Sequence, residues 1–150
     1  MTKKYLLLIT ALAIIIAACN QESKSKEEAC EVETVKDPNN PKPMALMMRT
    51  MANNCDSMRL KIAAGQTVDS AQYPLPIFWK AEPTDSSVLE ELFFNNAKDL
   101  EQAYHRLMSN KSDQLENYNV LISKCVQCHT SYCSGPLKRI RKLPIDYVKQ

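Results

Sequence analysis

Three stretches of this 150-residue chain place apolar side chains at steps of three and four, and only two glycines interrupt the whole length. Steps of three and four gather side chains on one face of a helix, whereas strands need alternation and tight hairpins need glycine. The first stretch begins after Pro43 and carries Met44, Met47, Met48, Met51, Cys55, Met58 and Ile62, with Gly65 as its natural stop. The second opens in TDSSVLEE, where Asp85 or Ser86 suits an N-cap. It continues through Leu89, Leu92, Phe93, Leu100, Ala103, Tyr104 and Leu107 to about Ser109 and Asn110. The third starts near Ser112 or Asp113 and carries Leu115, Tyr118, Ile122, Cys125 and His129. Between the first two, Pro74, Pro76 and Pro83 favour an extended crossover, with room for one short helix. The expected class is all-α: an antiparallel helical bundle of three long helices with, optionally, a short fourth.

The first residues do not belong to that bundle. Lys3 and Lys4 precede an apolar run from Tyr5 to Ile16, the pattern of an export signal. The run Ile16-Ala17-Ala18-Cys19 resembles the lipobox of bacterial lipoproteins, which implies cleavage after residue 18 and a lipid on Cys19. An uncleaved anchor helix is the alternative, and it too carries the rest of the chain out of the cytoplasm. Residues 19–42 are polar and hold Pro38 and Pro41, as a tether would. The domain is then residues 43–150, facing the periplasm from a membrane, the outer one in preference to the inner. Losing Lys3 and Lys4 reduces 19 basic residues to 17, against 17 acidic ones. Overall charge therefore gives no ground for nucleic-acid binding.

The third stretch runs into CVQCHTSYCSG. Cys-x-x-Cys-His is the attachment signature of a c-type haem. On a helix Cys125 and Cys128 lie one turn apart, within reach of the two vinyl groups on one porphyrin edge. His129, four residues from Cys125, can present its imidazole to the iron. The expected cofactor is one covalent haem c with a preset axial ligand. Zinc is the rival, since Cys125, Cys128, His129 and Cys133 form a Cys3His set, but structural zinc sites draw ligands from two separated pairs. A thioredoxin-like pair would follow a strand, and no strand pattern precedes this one.

A single Cys-x-x-Cys-His at the end of the last helix of an antiparallel bundle resembles the cytochrome c′ family and its six-coordinate relatives. The resemblance runs from residue 43 to about 143, on PMALMMRT, the AEPTD entry to the second helix and CVQCHTSYCSGPLKRI. Two departures are a shortened or missing second helix and Cys133 in place of an arginine four residues after the motif histidine. The family sets its sixth ligand, where it has one, near the start of the first helix, which implies Met48, with Met44, Met47 and Met51 as alternatives. The residues agree on one condition. The last two helices are joined by a short turn, so His129 lies about 25 Å from it and His105 falls at the wrong end. The long crossover lets helices one and two run parallel, bringing the N-terminal methionines to His129; were they antiparallel, Met58 would approach instead. The plainer reading is that the methionines are core filler.

After Cys19, Cys125 and Cys128 are assigned, Cys30, Cys55 and Cys133 remain. One disulfide and one free thiol suit an oxidising compartment, with Cys30 and Cys133 as the pair a tether entering at the haem end allows. Lys138, Arg139, Arg141 and Lys142 suit haem propionates, an acidic partner or plain solvation. Tyr73, Phe78 and Trp79 either seal the haem or form a small core under the crossover. The expected function is single-electron transport with a redox partner protein and no catalysis; a homodimer is also compatible. The alternatives are a five-coordinate haem that binds NO or CO, and a haem-free structural or zinc lipoprotein.

Overall fold

A computed structural model of the chain describes residues 40–146. The stretch expected to be a signal peptide, Cys19, Cys30 and nearly all of the expected tether lie outside the described residues. The described residues are helical without strands, and none of their helices is long and apolar enough to cross a membrane.

Helix α1 spans Pro43–Ala63, with proline at its first turn, where the missing N–H would have found no partner inside the helix. The Met44 N–H donates to the Glu82 carbonyl at 3.1 Å, and Lys42 pairs with the Glu82 carboxylate at 2.7 Å. The start of α1 is thus pinned to the end of the crossover. At the other end Gly65 takes φ 72°, Gly65 N–H donates to Ile62 and Gln66 N–H to Lys61. That pair of bonds is a Schellman stop, which glycine adopts without a Cβ clash. Met44, Cys55, Met58 and Ile62 of the anticipated stripe are buried, and Met47, Met48 and Met51 are half-buried.

Residues 64–90 form the crossover, extended as the prolines require, with 3₁₀ turns at Phe78–Lys80 and Ser86–Val88. Asp85 does act as a cap, accepting from the Ser87 N–H at 2.9 Å, but it caps the second 3₁₀ turn. Helix α2 itself starts later, at Glu91–Ser109. The expected start was wrong because the Asp85 side chain closes a tight turn of its own, and Leu89 and Leu92 are consequently exposed at 41% and 51%. From Phe93 on, the stripe is buried as expected, with Asn96, Ala97 and Met108 added to it.

Helix α3 spans Gln114–Tyr132 and α4 spans Leu137–Ile140. The optional short helix therefore follows the motif and does not lie in the crossover, so the motif ends the last long helix and not the last helix. Helices α2 and α3 run antiparallel: Tyr132 bonds Glu90, Gln127 bonds Asn96, Lys124 bonds Asp99, and Gln114 bonds the Leu107 carbonyl. Helix α1 is also antiparallel to α3, since the Tyr118 hydroxyl lies 3.0 Å from the Cys55 carbonyl while Met44 shares a cavity with His129. Hence α1 and α2 run parallel, the condition on which the methionine reading depended.

The core lies between these three helices, around Tyr118, Phe78, Leu107, Ile122 and Val68, each under 2% exposed. A fully buried side chain of this kind contributes about 1.5–3 kcal/mol. Phe78 meets Trp79 and Phe93 edge-on at 5.1 and 6.4 Å, and the Tyr104 hydroxyl holds the Tyr73 carbonyl at 2.8 Å. Tyr73, Phe78 and Trp79 therefore form the small core under the crossover. They are not on the wall of the large cavity beside His129, so they do not seal it. His105 is exposed near the α2–α3 turn.

Candidate functional site

The motif closes α3, and the geometry of that closure decides the state of its histidine. The Cys133 N–H donates to the His129 carbonyl at 3.0 Å, making Cys133 the C-cap. The Cys133 carbonyl in turn lies 3.2 Å from His129 Nδ1. A carbonyl only accepts, so Nδ1 carries the proton and Nε2 keeps a free lone pair. Burial lowers the His129 pKa, with the Cys133 carbonyl opposing it, which favours the neutral ring. Among the described residues Nε2 has no hydrogen-bond partner. A neutral imidazole with its other nitrogen tied to a backbone carbonyl is the form in which histidine binds metals.

His129 lines a cavity of about 480 Å³, within the range of small-molecule and cofactor sites. Cys128, Tyr132 and Cys133 line it from the same end of α3, and Pro136, Arg139 and Ile140 extend that wall. The start of α1 supplies Met44, Ala45, Met48, Arg49 and Ala52, where the two alanines leave space between larger neighbours. The crossover adds Pro83, Thr84, Asp85 and Val88, and Phe93 comes from α2. Phe93 also meets Tyr132 edge-on at 6.0 Å, and the Tyr132 hydroxyl donates to Glu90 at 2.7 Å. Desolvation and then the Glu90 carboxylate push Tyr132 up to about 12, so it stays a neutral donor that ties the end of α3 to the start of α2.

Of the methionines named from the sequence, Met48 and Met44 line this cavity. They are four residues apart and so share a face. Met51 and Met58 line a different cavity of only about 20 Å³, and Met47 lines neither. Cys125 also lines the small cavity, with Cys55, and not the large one. Residues three apart on a helix diverge by about 60°, so Cys128 meets the large cavity while Cys125 faces α1. Burial raises both thiols, Cys55 up to about 12 and Cys125 further.

Cys55, Cys125, Cys128 and Cys133 are free thiols, Cys133 an exposed one; Cys30, its expected partner, lies outside the described residues. Among the described residues no three or more His, Cys, Asp or Glu side chains gather as a metal-binding group. The four residues of the Cys3His set accordingly do not converge.

Sequence reasoning overlooked Arg49, which sits beside Met48 on the cavity-facing side of α1, and the 83–88 stretch. The signal was present in Ala45 and Ala52, small residues either side of Met48 and Arg49 on an otherwise bulky helix. Arg139 is held by Asn53 at 2.8 Å and Asp56 at 2.9 Å and so is not part of a plain charge run. Together the walls present a neutral imidazole nitrogen, two thiols, two thioethers, apolar rings, the Asp85 carboxylate and two guanidinium groups, one of them already paired with Asp56. The chain matches no protein-family model, no curated protein and no solved structure, so the reading of this cavity rests on its own residues.

Proposed function

We propose that the chain is a monohaem c-type cytochrome of the cytochrome c′-like bundle class that carries single electrons. In this reading Cys125 and Cys128 would hold one haem c covalently, and His129 and Met48 would ligate its iron. Export and the lipid on Cys19 would place it on a bacterial membrane, facing the periplasm. The observation that carries the reading is the His129 ring, neutral, fixed through Nδ1 and set in a large cavity whose walls include Met44 and Met48.

The bound group would supply a one-electron change at its iron. The chain's own residues do the rest. His129 holds its lone pair at Nε2 because Cys133 occupies Nδ1. Met48, or Met44 one turn earlier, offers a thioether from the opposite element. Phe93 and Ile140, both buried, would help to keep water from the bound group, which strengthens charge interactions inside. The Arg49 guanidinium on the same wall is of the kind that binds carboxylates, whereas Arg139 is already paired with Asp56. Cys128 is already on the cavity wall, and Cys125 must turn from its contact side toward the cavity edge to form the second thioether.

The test is expression in cells competent for cytochrome c maturation, followed by visible spectra of the reduced protein with and without CO. A sharp low-spin spectrum unaffected by CO is expected, and Met48→Ala should convert it to a CO-sensitive high-spin one. Conversion by Met44→Ala alone would move the ligand to Met44. CO sensitivity of the unaltered protein would favour the gas-binding alternative, and no haem absorbance would leave the haem-free lipoprotein.

A further inference from the structure

Leu137, Ile140 and Leu143 recur every three residues after the motif, and all three are buried. The segment they anchor is tied down twice more. The Leu143 carbonyl lies 3.2 Å from the Tyr118 hydroxyl, and Asn119 holds both the N–H and the carbonyl of Ile145, at 2.8 and 2.9 Å. With the apolar residues turned inward, Lys138, Arg141 and Lys142 are left exposed. Among the described residues no hydrogen bond or ion pair engages any of these three side chains, in contrast to Lys42, Lys124 and Arg139, each paired with a carboxylate. Their neighbours Pro136, Arg139 and Ile140 line the cavity itself. Three unspent cations are thus held on a fixed support at the rim of the candidate haem cavity.

We infer that α4 and residues 141–142 form the docking face for an acidic redox protein, whose carboxylates meet Lys138, Arg141 and Lys142 and bring its one-electron centre to the cavity edge. The inference rests on the haem reading for its purpose: one electron leaves the reduced iron and enters the partner's oxidised centre, with no atom transferred. Long-range attraction between opposite charges would speed encounter and orient it, and would weaken with added salt.

The experiment titrates a decaglutamate peptide, standing for the acidic surface, into the matured full-length protein at low ionic strength, following backbone amide shifts. Shifts confined to residues about 137–143 are expected. The triple variant Lys138→Glu, Arg141→Glu, Lys142→Glu should bind about tenfold more weakly. An equal charge change elsewhere, Lys80→Glu, Lys98→Glu, Arg106→Glu, should alter binding by less than about twofold. Equal loss in both triple variants, or shifts spread over the surface, would overturn the docking face. So would tighter binding of phosphatidylglycerol-containing vesicles than of the peptide through the same three residues, which would make this a membrane-facing patch. The visible spectrum of the same sample reports the haem reading separately, so the failure of one is not mistaken for failure of the other.

Discussion

The two ends of the α2–α3 pair are built on opposite rules. At the turn end, the Gln114 side chain accepts from the Val68 N–H at 2.9 Å and donates to the Val68 and Leu107 carbonyls at 2.8 and 3.1 Å, and Lys111 reaches the Val68 carbonyl as well. One amide there stitches the crossover to both helices, with every one of those polar groups matched and Val68 wholly buried. At the motif end, side chains from α1, the crossover, α2, α3 and α4 stand back from one another, and a neutral imidazole nitrogen has no partner among the described residues. The difference teaches where the chain spends its sequence on holding together and where it keeps room for something else.

Thiol reactivity is the widest contrast. Cys133 is exposed at the open end, while Cys55 is buried in α1 with its thiol pushed up to about 12, mainly by burial and then by Asp56. In the haem-free chain Cys133 should react with a disulfide reagent at least about tenfold faster than Cys55, because Cys55 is screened from the reagent and only thiolate attacks. Comparable rates would mean that α1 does not pack on α3 in solution. Next in size is the core between the ends: Ile122→Ala should cost about 2–5 kcal/mol in denaturant unfolding. A cost near zero would show that the helices do not close over Ile122.

Gln114→Ala tests the closed end directly. It strands a buried N–H and weakens two carbonyl contacts, so about 2–3 kcal/mol should be lost. Met48→Ala at the open end removes a half-buried side chain beside empty volume and should cost the haem-free chain about 1 kcal/mol or less. If the two costs reverse, the cavity end is core and not site. The smallest effect is in pH. His129 has a folded pKa below that of the unfolded chain, so on acidification the unfolded state takes up the proton first. Stability of the haem-free chain should therefore be full above about pH 6.5 and decline as pH falls from there toward the lower folded value. The slope of melting temperature measured between pH 8 and 5 should flatten in His129→Gln.

The closed end was only partly legible in the sequence, and the reason is physical. Helical period depends on apolar spacing, which is why α1, α3 and the body of α2 follow from Met44 to Ile62, Leu115 to Ile122 and Phe93 to Leu107. Gln114 and Asn119 act through backbone groups 46 and 26 residues away, and no local pattern announces such partners. The start of α2 failed for a related reason: Asp85 caps a 3₁₀ turn as well as it would cap a helix. At the open end His129, Cys128 and Met48 were visible as a motif and a stripe. Arg49 was not, since a charged residue beside a methionine looks like ordinary helix surface until the space in front of it is known.

The bond from His129 Nδ1 to the Cys133 carbonyl ties a proton to the last turn of a helix. Helix ends open more easily than helix middles. If that turn unwinds, the carbonyl leaves, and the proton is no longer committed to one nitrogen. The imidazole's choice of tautomer is thus a local thermometer for α3: it should loosen on warming, or when Cys133 is replaced by proline, well before the α2–α3 pair separates at its stitched end.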